Sequence, residues 1–282
     1  MGIGHRETLA QWLRAPRYEV LPLPGTAQLV DDIVPKTVKV TVTASPRRGQ
    51  GPTLDLAEHL AGLGYRTVPH LAARLLSGRG HLEEVLERLR NAGIEEVFAV
   101  AGDTEEPAGS FAGALEMLEA MAEIGHELTD IGITGYPESH PVIDDDVTIQ
   151  SMWDKRHFAT HIVSNVCFDS SAISEWVARV RRRGVELPIN VGLAGVADPG
   201  KLLRISQKIG IGESARFLRG HRSWLFRLIV PGAYSPTRLI GRIEADLGAP
   251  DRGVSGIHVY TFNEIARTER WRRRLLEEVA GA

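Results

Sequence analysis

Residues 67–103 read TVPHLAARLLSGRGHLEEVLERLRNAGIEEVFAVAGD and contain one strand–helix–strand unit. Two short apolar runs with β-branched residues, Thr67–Leu71 and Glu96–Ala101, lie near its ends. Between them runs a segment whose apolar residues keep the helical spacing of three and four, namely Leu82, Val85, Leu86 and Leu89. Gly93 follows, a residue type that ends helices at no steric cost. The pattern predicts a βα unit followed by a parallel strand.

Six further apolar runs flank this unit, and most are continuous, as in strands buried on both faces. They are Tyr18–Leu23, Thr37–Thr43, Asp130–Tyr136, His161–Phe168, Leu187–Leu193 and Gly256–Phe262. The first seven runs start about 20 to 35 residues apart, which is the length of a βα unit. Eight such units predict an α/β fold, a single (β/α)8 TIM barrel. Residues 196–255 are expected to add extra helical material between strands seven and eight.

Length and composition indicate one globular domain spanning residues 1–282, with residues 1–16 as an N-terminal extension. The net charge of −3 and the absence of a basic groove with interleaved tryptophans argue against nucleic-acid binding. No segment reaches the roughly 18 apolar residues that a membrane span requires. The single cysteine, Cys167, leaves no disulfide framework and fits a reducing compartment. We therefore expect a cytoplasmic protein whose partner is a small molecule.

Polar residues cluster where the predicted strands end, which is where TIM barrels carry their active sites. They are Thr41, Thr43, His70, Asp103, Tyr136, Glu138, His140, Asn165, Tyr260 and Asn263. Glu19 lies inside the apolar first run. A carboxyl group that points into a barrel has a raised pKa and can carry a proton near neutral pH. The alternative is that Glu19 faces outward or pairs with an arginine.

Seven motifs on these strand ends resemble those of the methylenetetrahydrofolate reductase family. They are Tyr18–Pro24, Val38–Thr43, Val68–Leu71, Gly102–Asp103, Gly135–Pro141, Asn165–Asp169 and His258–Asn263. Their order and spacing match the family over residues 18–263, which is nearly the whole chain. One such motif would be weak evidence, whereas seven in register are specific.

The resemblance implies an enzyme that reduces 5,10-methylenetetrahydrofolate to 5-methyltetrahydrofolate, with NADH or NADPH as the hydride donor. It implies that Glu19 is the general acid that opens the imidazolidine ring. It also implies that Asp103 holds the pterin edge and stabilises the developing cation. Further residues are expected to bind the substrate (Asn165, Phe217, Tyr260 and Thr41) and the cofactor (His70, Tyr136, His140 and Lys155).

The sequence departs from the family at two places that concern FAD. Ala101 replaces an arginine before Gly-Asp, and residues 153–160 lack the Lys-x-Asp-Ala-Gly-Ala stretch that follows the flavin phosphates and ribose. A pyrophosphate is bound by arginine, lysine or backbone N–H groups, and Lys155 and Arg156 could still serve. We favour direct hydride transfer from the nicotinamide to the folate, with FAD binding as the alternative.

Two other patterns carry less weight. Gly210–Ala215 fits a dinucleotide fingerprint but follows a predicted helix rather than a strand, so we expect no Rossmann site there. The family resemblance implies that this segment leads into a helix over the barrel mouth, with Phe217 stacking on a ligand ring; the alternative is that Phe217 packs in the core. Asp144–Asp146 is typical of an acidic helix start. His70 and His140 lack metal-ligand spacing, and no metal is expected.

Three alternative functions remain open from the sequence. A folate-dependent methyltransferase would not need the buried proton donor. A non-catalytic folate-binding barrel, acting as a subunit of a complex, would have no need of an intact Glu19 and Asp103. An unrelated phosphate-binding barrel should have a glycine-rich loop after strand seven or eight, and neither Ala194-Gly195 nor Asn263-Glu264 resembles one.

Overall fold

In the computed structural model of the chain, residues 3–140, 143–196 and 234–281 are described. Eight strands close into a barrel in chain order, and every neighbouring pair is parallel. They are β1 (Arg17–Val20), β2 (Lys39–Val42), β3 (Thr67–Ala72), β4 (Glu96–Val100), β5 (Asp130–Gly135), β6 (His161–Ser164), β7 (Ile189–Ala194) and β8 (Val254–Tyr260). The predicted TIM barrel is confirmed.

Nine α-helices lie within the described ranges. They are α1 (Ile3–Arg14), α2 (Thr26–Ile33), α3 (Gly51–Gly62), α4 (Arg79–Asn91), α5 (Ala114–Ile124), α6 (Asp145–Lys155), α7 (Ser170–Arg182), α8 (Pro236–Leu247) and α9 (Ile265–Ala280). The predicted extension forms α1, which packs on α8 and α9. The predictions for Gly210–Ala215 and Phe217 fall outside the described residues. None of the helices in these ranges is long and apolar enough to cross a membrane.

The sixth strand is shorter than predicted. We expected His161–Phe168, but β6 ends at Ser164. The Asn165 N–H still donates to the Gly135 carbonyl at 2.7 Å, whereas the Asn165 side-chain oxygen accepts from the N–H of Val166 at 2.8 Å. This local bond turns the chain out of the ladder, because the backbone donor of Val166 is satisfied by a side chain.

The first strand also ends early, at Val20 instead of Leu23. Pro22 and Pro24 have no N–H to offer to a ladder. The Leu23 N–H donates to the carbonyl of Leu21 at 2.8 Å, which forms a tight turn directly after the strand. Glu19 is consequently the last residue but one of β1, near the end of the barrel where the active site is expected.

The apolar core lies between the strands and the helix layer. The predicted inward faces of α4 and α7 are buried, with Trp176 among the largest fully buried side chains. Gly135 leaves room for it, because a Cβ there would lie 2.3 Å from the Trp176 ring. The acidic helix start is confirmed, since Asp144 caps α6 by accepting from the Asp146 N–H at 2.9 Å.

The amino-terminal half of the barrel interior is filled by a buried charge cluster. Glu96 of β4 pairs through one oxygen with Arg17 of β1 and through the other with Lys39 of β2. His161 of β6 lies 3.4 Å from the same carboxylate. Burial opposes ionisation of Glu96, but the two cations outweigh burial and hold its pKa below the ordinary value. This ion cluster forms the floor beneath the candidate site.

Candidate active site

Glu19 faces the interior of the barrel from β1. It is in register with Thr41 of β2 and Tyr260 of β8. Its carboxyl oxygen Oε2 lies 3.1 Å from Nε2 of His258 and 3.7 Å from Nε2 of His70. The structure therefore pairs Glu19 with two histidines instead of an arginine, and it excludes the outward orientation.

Burial dominates the protonation of this group. It raises the pKa of Glu19 from 4.5 to about 7, with His70 acting in the opposite direction. Burial likewise lowers the pKa of His70 to about 4 and that of His258 to about 3. Near pH 7 the two imidazoles are neutral, while a large fraction of Glu19 carries a proton. The cluster therefore holds an acid whose pKa is close to physiological pH.

The backbone around Glu19 is held by the chain that follows β8. The hydroxyl of Thr261 donates to the Glu19 carbonyl at 2.6 Å. The side-chain amide of Asn263 bridges Leu21, accepting from its N–H at 2.8 Å and donating to its carbonyl at 3.2 Å. Phe262 and Asn263 have φ values of 50° and 55°, a left-handed backbone that non-glycine residues rarely adopt. This local strain is offset by bonds that fix the end of β1 to the end of β8.

Two predicted tyrosines lie near other acidic groups at the carboxyl ends of the strands. Burial raises the pKa of Tyr260 well above its ordinary value, and the nearby acidic groups of Glu19 and Tyr136 add to the effect. Burial also raises the pKa of Tyr136, to which Asp103 contributes. The Tyr136 ring packs edge-on against His140, with 4.9 Å between ring centroids. Five predicted site residues therefore lie at the strand ends and influence or contact one another, namely Glu19, Asp103, Tyr136, His140 and Tyr260.

Asp103 follows Gly102, a position where the backbone and the surrounding atoms favour glycine. Gly102 has φ 93°, and a Cβ there would lie 3.3 Å from the Cβ of Ala72. A larger residue would meet both backbone strain and a tight contact, so glycine allows the chain to turn directly after β4. Asp103 is exposed, and within the described residues its carboxylate accepts no hydrogen bond. It is therefore available to a ligand.

Two predicted substrate residues have polar groups without a hydrogen-bond partner in the part of the chain that the structure describes. Thr41 is only 2% exposed, yet its hydroxyl has no partner among the residues described. Asn165, which follows β6 and does not lie within it, uses its side-chain oxygen to accept from Val166. Its amide N–H₂ has no acceptor within the described ranges. Buried polar atoms normally find a partner, so the free Thr41 hydroxyl is a candidate ligand contact.

Lys155 and Arg156, the two cations considered for cofactor binding, have different surroundings. Lys155 ends α6 and is buried, and burial lowers its pKa to about 8. Arg156 stacks on the ring of Trp153, 3.4 Å from its centroid, and donates to the Trp153 carbonyl. No described contact joins Lys155 to the Glu19 cluster.

His258 was not singled out from the sequence, although its Nε2 lies within hydrogen-bond distance of the Glu19 carboxyl. It is 1% exposed, and its ring packs edge-on against Tyr260 at 4.7 Å. Strand periodicity could have identified it. Residues two apart on a strand share a face, so placing Tyr260 in the barrel interior also places His258 there.

Comparisons with known proteins identify the family of the chain. The family profile described as methylenetetrahydrofolate reductase matches residues 20–212. Methylenetetrahydrofolate reductase 2 of Saccharomyces cerevisiae is 24% identical over 186 residues, covering 62% of this chain and 31% of the relative. Methylenetetrahydrofolate reductase (NADH) 1 of Arabidopsis thaliana is 27% identical over 234 residues, covering 75% of this chain and 38% of the relative. The chain therefore spans about a third of the length of these relatives.

A solved structure supports the fold alone. A protein of Burkholderia cenocepacia J2315, assigned as a lyase or mutase, superposes with a TM-score of 0.52 at 15% identity. The alignment covers 99% of this chain and 89% of that protein. The profile match extends over well more than half of the 282 residues and includes β2 to β7 and most of the motifs quoted above. The chain belongs to the methylenetetrahydrofolate reductase family.

Proposed function

We propose that this chain reduces 5,10-methylenetetrahydrofolate to 5-methyltetrahydrofolate with a hydride from NADH or NADPH. The observation that carries the proposal is Glu19, a buried carboxyl group with a pKa of about 7 at the strand ends of a barrel of this family. A general acid is most effective when its pKa lies near the working pH. Oxidation of NADH or NADPH that depends on methylenetetrahydrofolate tests the activity, and a methyltransferase would turn over without nicotinamide.

The chemistry needs one proton and one hydride. Glu19 protonates the leaving nitrogen of the imidazolidine ring, the C–N bond breaks, and the other nitrogen forms an iminium with the one-carbon unit. Hydride addition to the iminium carbon gives the methyl group and removes the positive charge. Asp103 accepts N–H donors of the pterin and stabilises the transient cation, because fixed charges near a developing charge lower the barrier.

The remaining predicted residues surround this reaction in the proposal. Thr41, Asn165 and Tyr260 bind the folate through polar groups, together with Phe217, which lies outside the described part of the chain. His70, Tyr136, His140 and Lys155 bind the nicotinamide dinucleotide. Among these residues, Thr41 and Tyr260 lie in register with Glu19, which supports their assignment to the substrate.

A resident flavin fits the described residues poorly. The family arginine before Gly-Asp is Ala101 here, and the neighbouring Arg74 is committed to the carbonyls of Glu105 and Ala112. The guanidinium of Arg156 is held against the ring of Trp153. Of the two cations that could bind the flavin phosphates, Lys155 is therefore the one that remains. A prosthetic group must stay bound between turnovers, whereas a co-substrate needs only a micromolar to millimolar KM. We therefore assign no step to a flavin.

The hydride route has a kinetic consequence. Protein purified without added flavin is expected to be colourless and active, with ternary-complex kinetics. No reduced enzyme form would survive release of the oxidised nicotinamide, so ping-pong kinetics are not expected. Steady-state rates over a grid of both substrate concentrations make this distinction. Yellow protein that loses activity when stripped and regains it with FAD would refute direct transfer.

Asp103→Asn is expected to weaken folate handling, with a higher KM and a lower kcat. An amide cannot accept from two ring donors as a carboxylate does. Hydrogen bonds to charged groups contribute about 1.5–3 kcal/mol, so kcat/KM should fall by about 10- to 100-fold. Glu106→Gln, which neutralises an exposed carboxylate in the same loop, is the control and should leave both parameters unchanged. Unchanged KM and kcat in Asp103→Asn would remove this residue from the site.

A further inference from the structure

The two imidazoles beside Glu19 meet the same carboxyl oxygen. Nε2 of His258 is 3.1 Å from Oε2, and Nε2 of His70 is 3.7 Å from Oε2. Only the His258 distance is a hydrogen bond. Within the described residues Oε1 has no hydrogen-bond partner, so one oxygen is held by the protein and the other is left for a ligand.

The position of the imidazole hydrogen of His258 follows from its surroundings. Its Nδ1 is buried and has no partner in the described part of the chain. A buried N–H without an acceptor is costlier than a lone pair without a donor, so the hydrogen of the neutral ring belongs on Nε2. The Nε2–H then donates to Oε2 of Glu19.

Burial, helped by one neighbouring charge, keeps this imidazole neutral. Burial is the main cause of its low pKa, and Arg17, on the floor of the same barrel, is the next. Among the described residues, the other groups that face Glu19 are His70 from β3, the phenol of Tyr260 from β8 and the uncharged hydroxyl of Thr41 from β2. His70 is likewise neutral near pH 7. A neutral donor therefore serves Glu19, and in the described ranges no lysine or arginine forms an ion pair with its carboxyl group.

We propose that His258 is the positioning residue of the proton donor. Its Nε2–H holds Oε2 of Glu19, so that Oε1 carries the proton that is transferred. The bond also stabilises the ionised carboxylate and limits the pKa increase that burial causes. This inference rests on the proposed function, in which Glu19 is the general acid.

The test measures the titration of Glu19 directly, by infrared difference spectroscopy of its carboxyl band, assigned with Glu19→Gln. His258→Phe keeps a ring against Tyr260 but removes the donor, whereas His258→Gln retains an N–H donor. His258→Phe should raise the Glu19 pKa by about one or more, the scale of a hydrogen bond to a charged group. His258→Gln should leave it near 7.

A matched control separates this effect from the loss of any buried histidine. His161→Phe replaces an imidazole of the same barrel interior that contacts Glu96 and not Glu19, and it should leave the Glu19 titration unmoved. An unchanged or lowered Glu19 pKa in His258→Phe would overturn the inference. If His258→Phe does not fold, nitrogen-15 spectra of the wild-type ring decide, because the Nε2–H tautomer is required and the Nδ1–H tautomer refutes it.

Turnover supplies the second readout. His258→Phe should lower kcat about tenfold with little change in the folate KM, and should move the alkaline limb of the rate profile to higher pH. His258→Gln should restore both. A raised Glu19 pKa without reductase activity in any form of the protein would refute the proposed function and leave the role of His258 intact. Normal reductase activity of the wild type, together with a Glu19 pKa that is unchanged in His258→Phe, would refute the role of His258 and leave the proposed function intact.

Discussion

Glu19→Gln is expected to lower the reductase turnover by at least about 10²-fold, the usual scale for losing a general acid. Folding and folate affinity should persist, since the amide has the shape of the carboxyl group and can still accept from His258. The loss should fall on kcat, because proton delivery matters in the transition state and not in substrate binding. Steady-state rates and folate binding measured on the same preparation separate the two.

Glu106→Gln is the control for this experiment. Glu106 is an exposed carboxylate in the loop after β4, and no contact with Glu19 is described for it. Its turnover should remain close to that of the wild type. In the wild type, turnover should decline as the pH rises through about 7, because the protonated form of Glu19 is lost. Near-normal turnover of Glu19→Gln would remove Glu19 from the mechanism.

Glu96→Ala is expected to destabilise the barrel by about 3–5 kcal/mol, the cost of leaving buried charges unpaired. The substitution leaves Arg17 and Lys39 buried in the barrel floor without the carboxylate that pairs with both. Denaturant unfolding of the wild type and the variant measures the difference in free energy. Glu123→Ala is the control, because it breaks a 2.7 Å pair with Arg79 whose side chains are 69% and 50% exposed, and exposed pairs contribute little.

The same carboxylate predicts an acid dependence of stability. The folded-state pKa of Glu96 is lower than its ordinary value of 4.5, so the unfolded chain takes up the proton first as the pH falls. Its contribution is therefore complete above the unfolded pKa and is lost as the pH falls through the folded one. Below that range, wild type and Glu96→Ala should converge in unfolding free energy. A constant difference down to strongly acidic pH would contradict the assignment.

The sequence predicted the barrel well because buried strands and amphipathic helices leave periodic patterns. Eight runs yielded eight strands in the correct order. The errors lie at strand ends such as His161–Phe168, where apolar residues continue after the ladder has stopped. An apolar run indicates burial, but a local bond such as that from Val166 to the Asn165 side chain determines where pairing ends.

The sequence allowed the residues of the candidate site to be predicted, but not the contacts between them. Glu19 was identifiable because burying a carboxyl group in an apolar strand costs free energy, so such a residue usually has a functional role. Periodicity can place His70 and His258 in the barrel interior, but it does not show that they contact Glu19. Both residues lie far from Glu19 along the chain and meet it only when the barrel closes. The bridge from Asn263 to Leu21 likewise depends on the contact between the first and last strands.

The most direct test of the proposed reduction uses NADH or NADPH carrying deuterium at both positions of nicotinamide C4. Protein as purified, with and without added FAD, is incubated with methylenetetrahydrofolate and the labelled donor, and the product is analysed by mass spectrometry. The account predicts 5-methyltetrahydrofolate with a single deuterium in its methyl group, in an amount equal to the nicotinamide oxidised. Absence of 5-methyltetrahydrofolate would contradict the proposed function. An unlabelled methyl group would contradict direct transfer, because a hydrogen relayed through a flavin nitrogen exchanges with water.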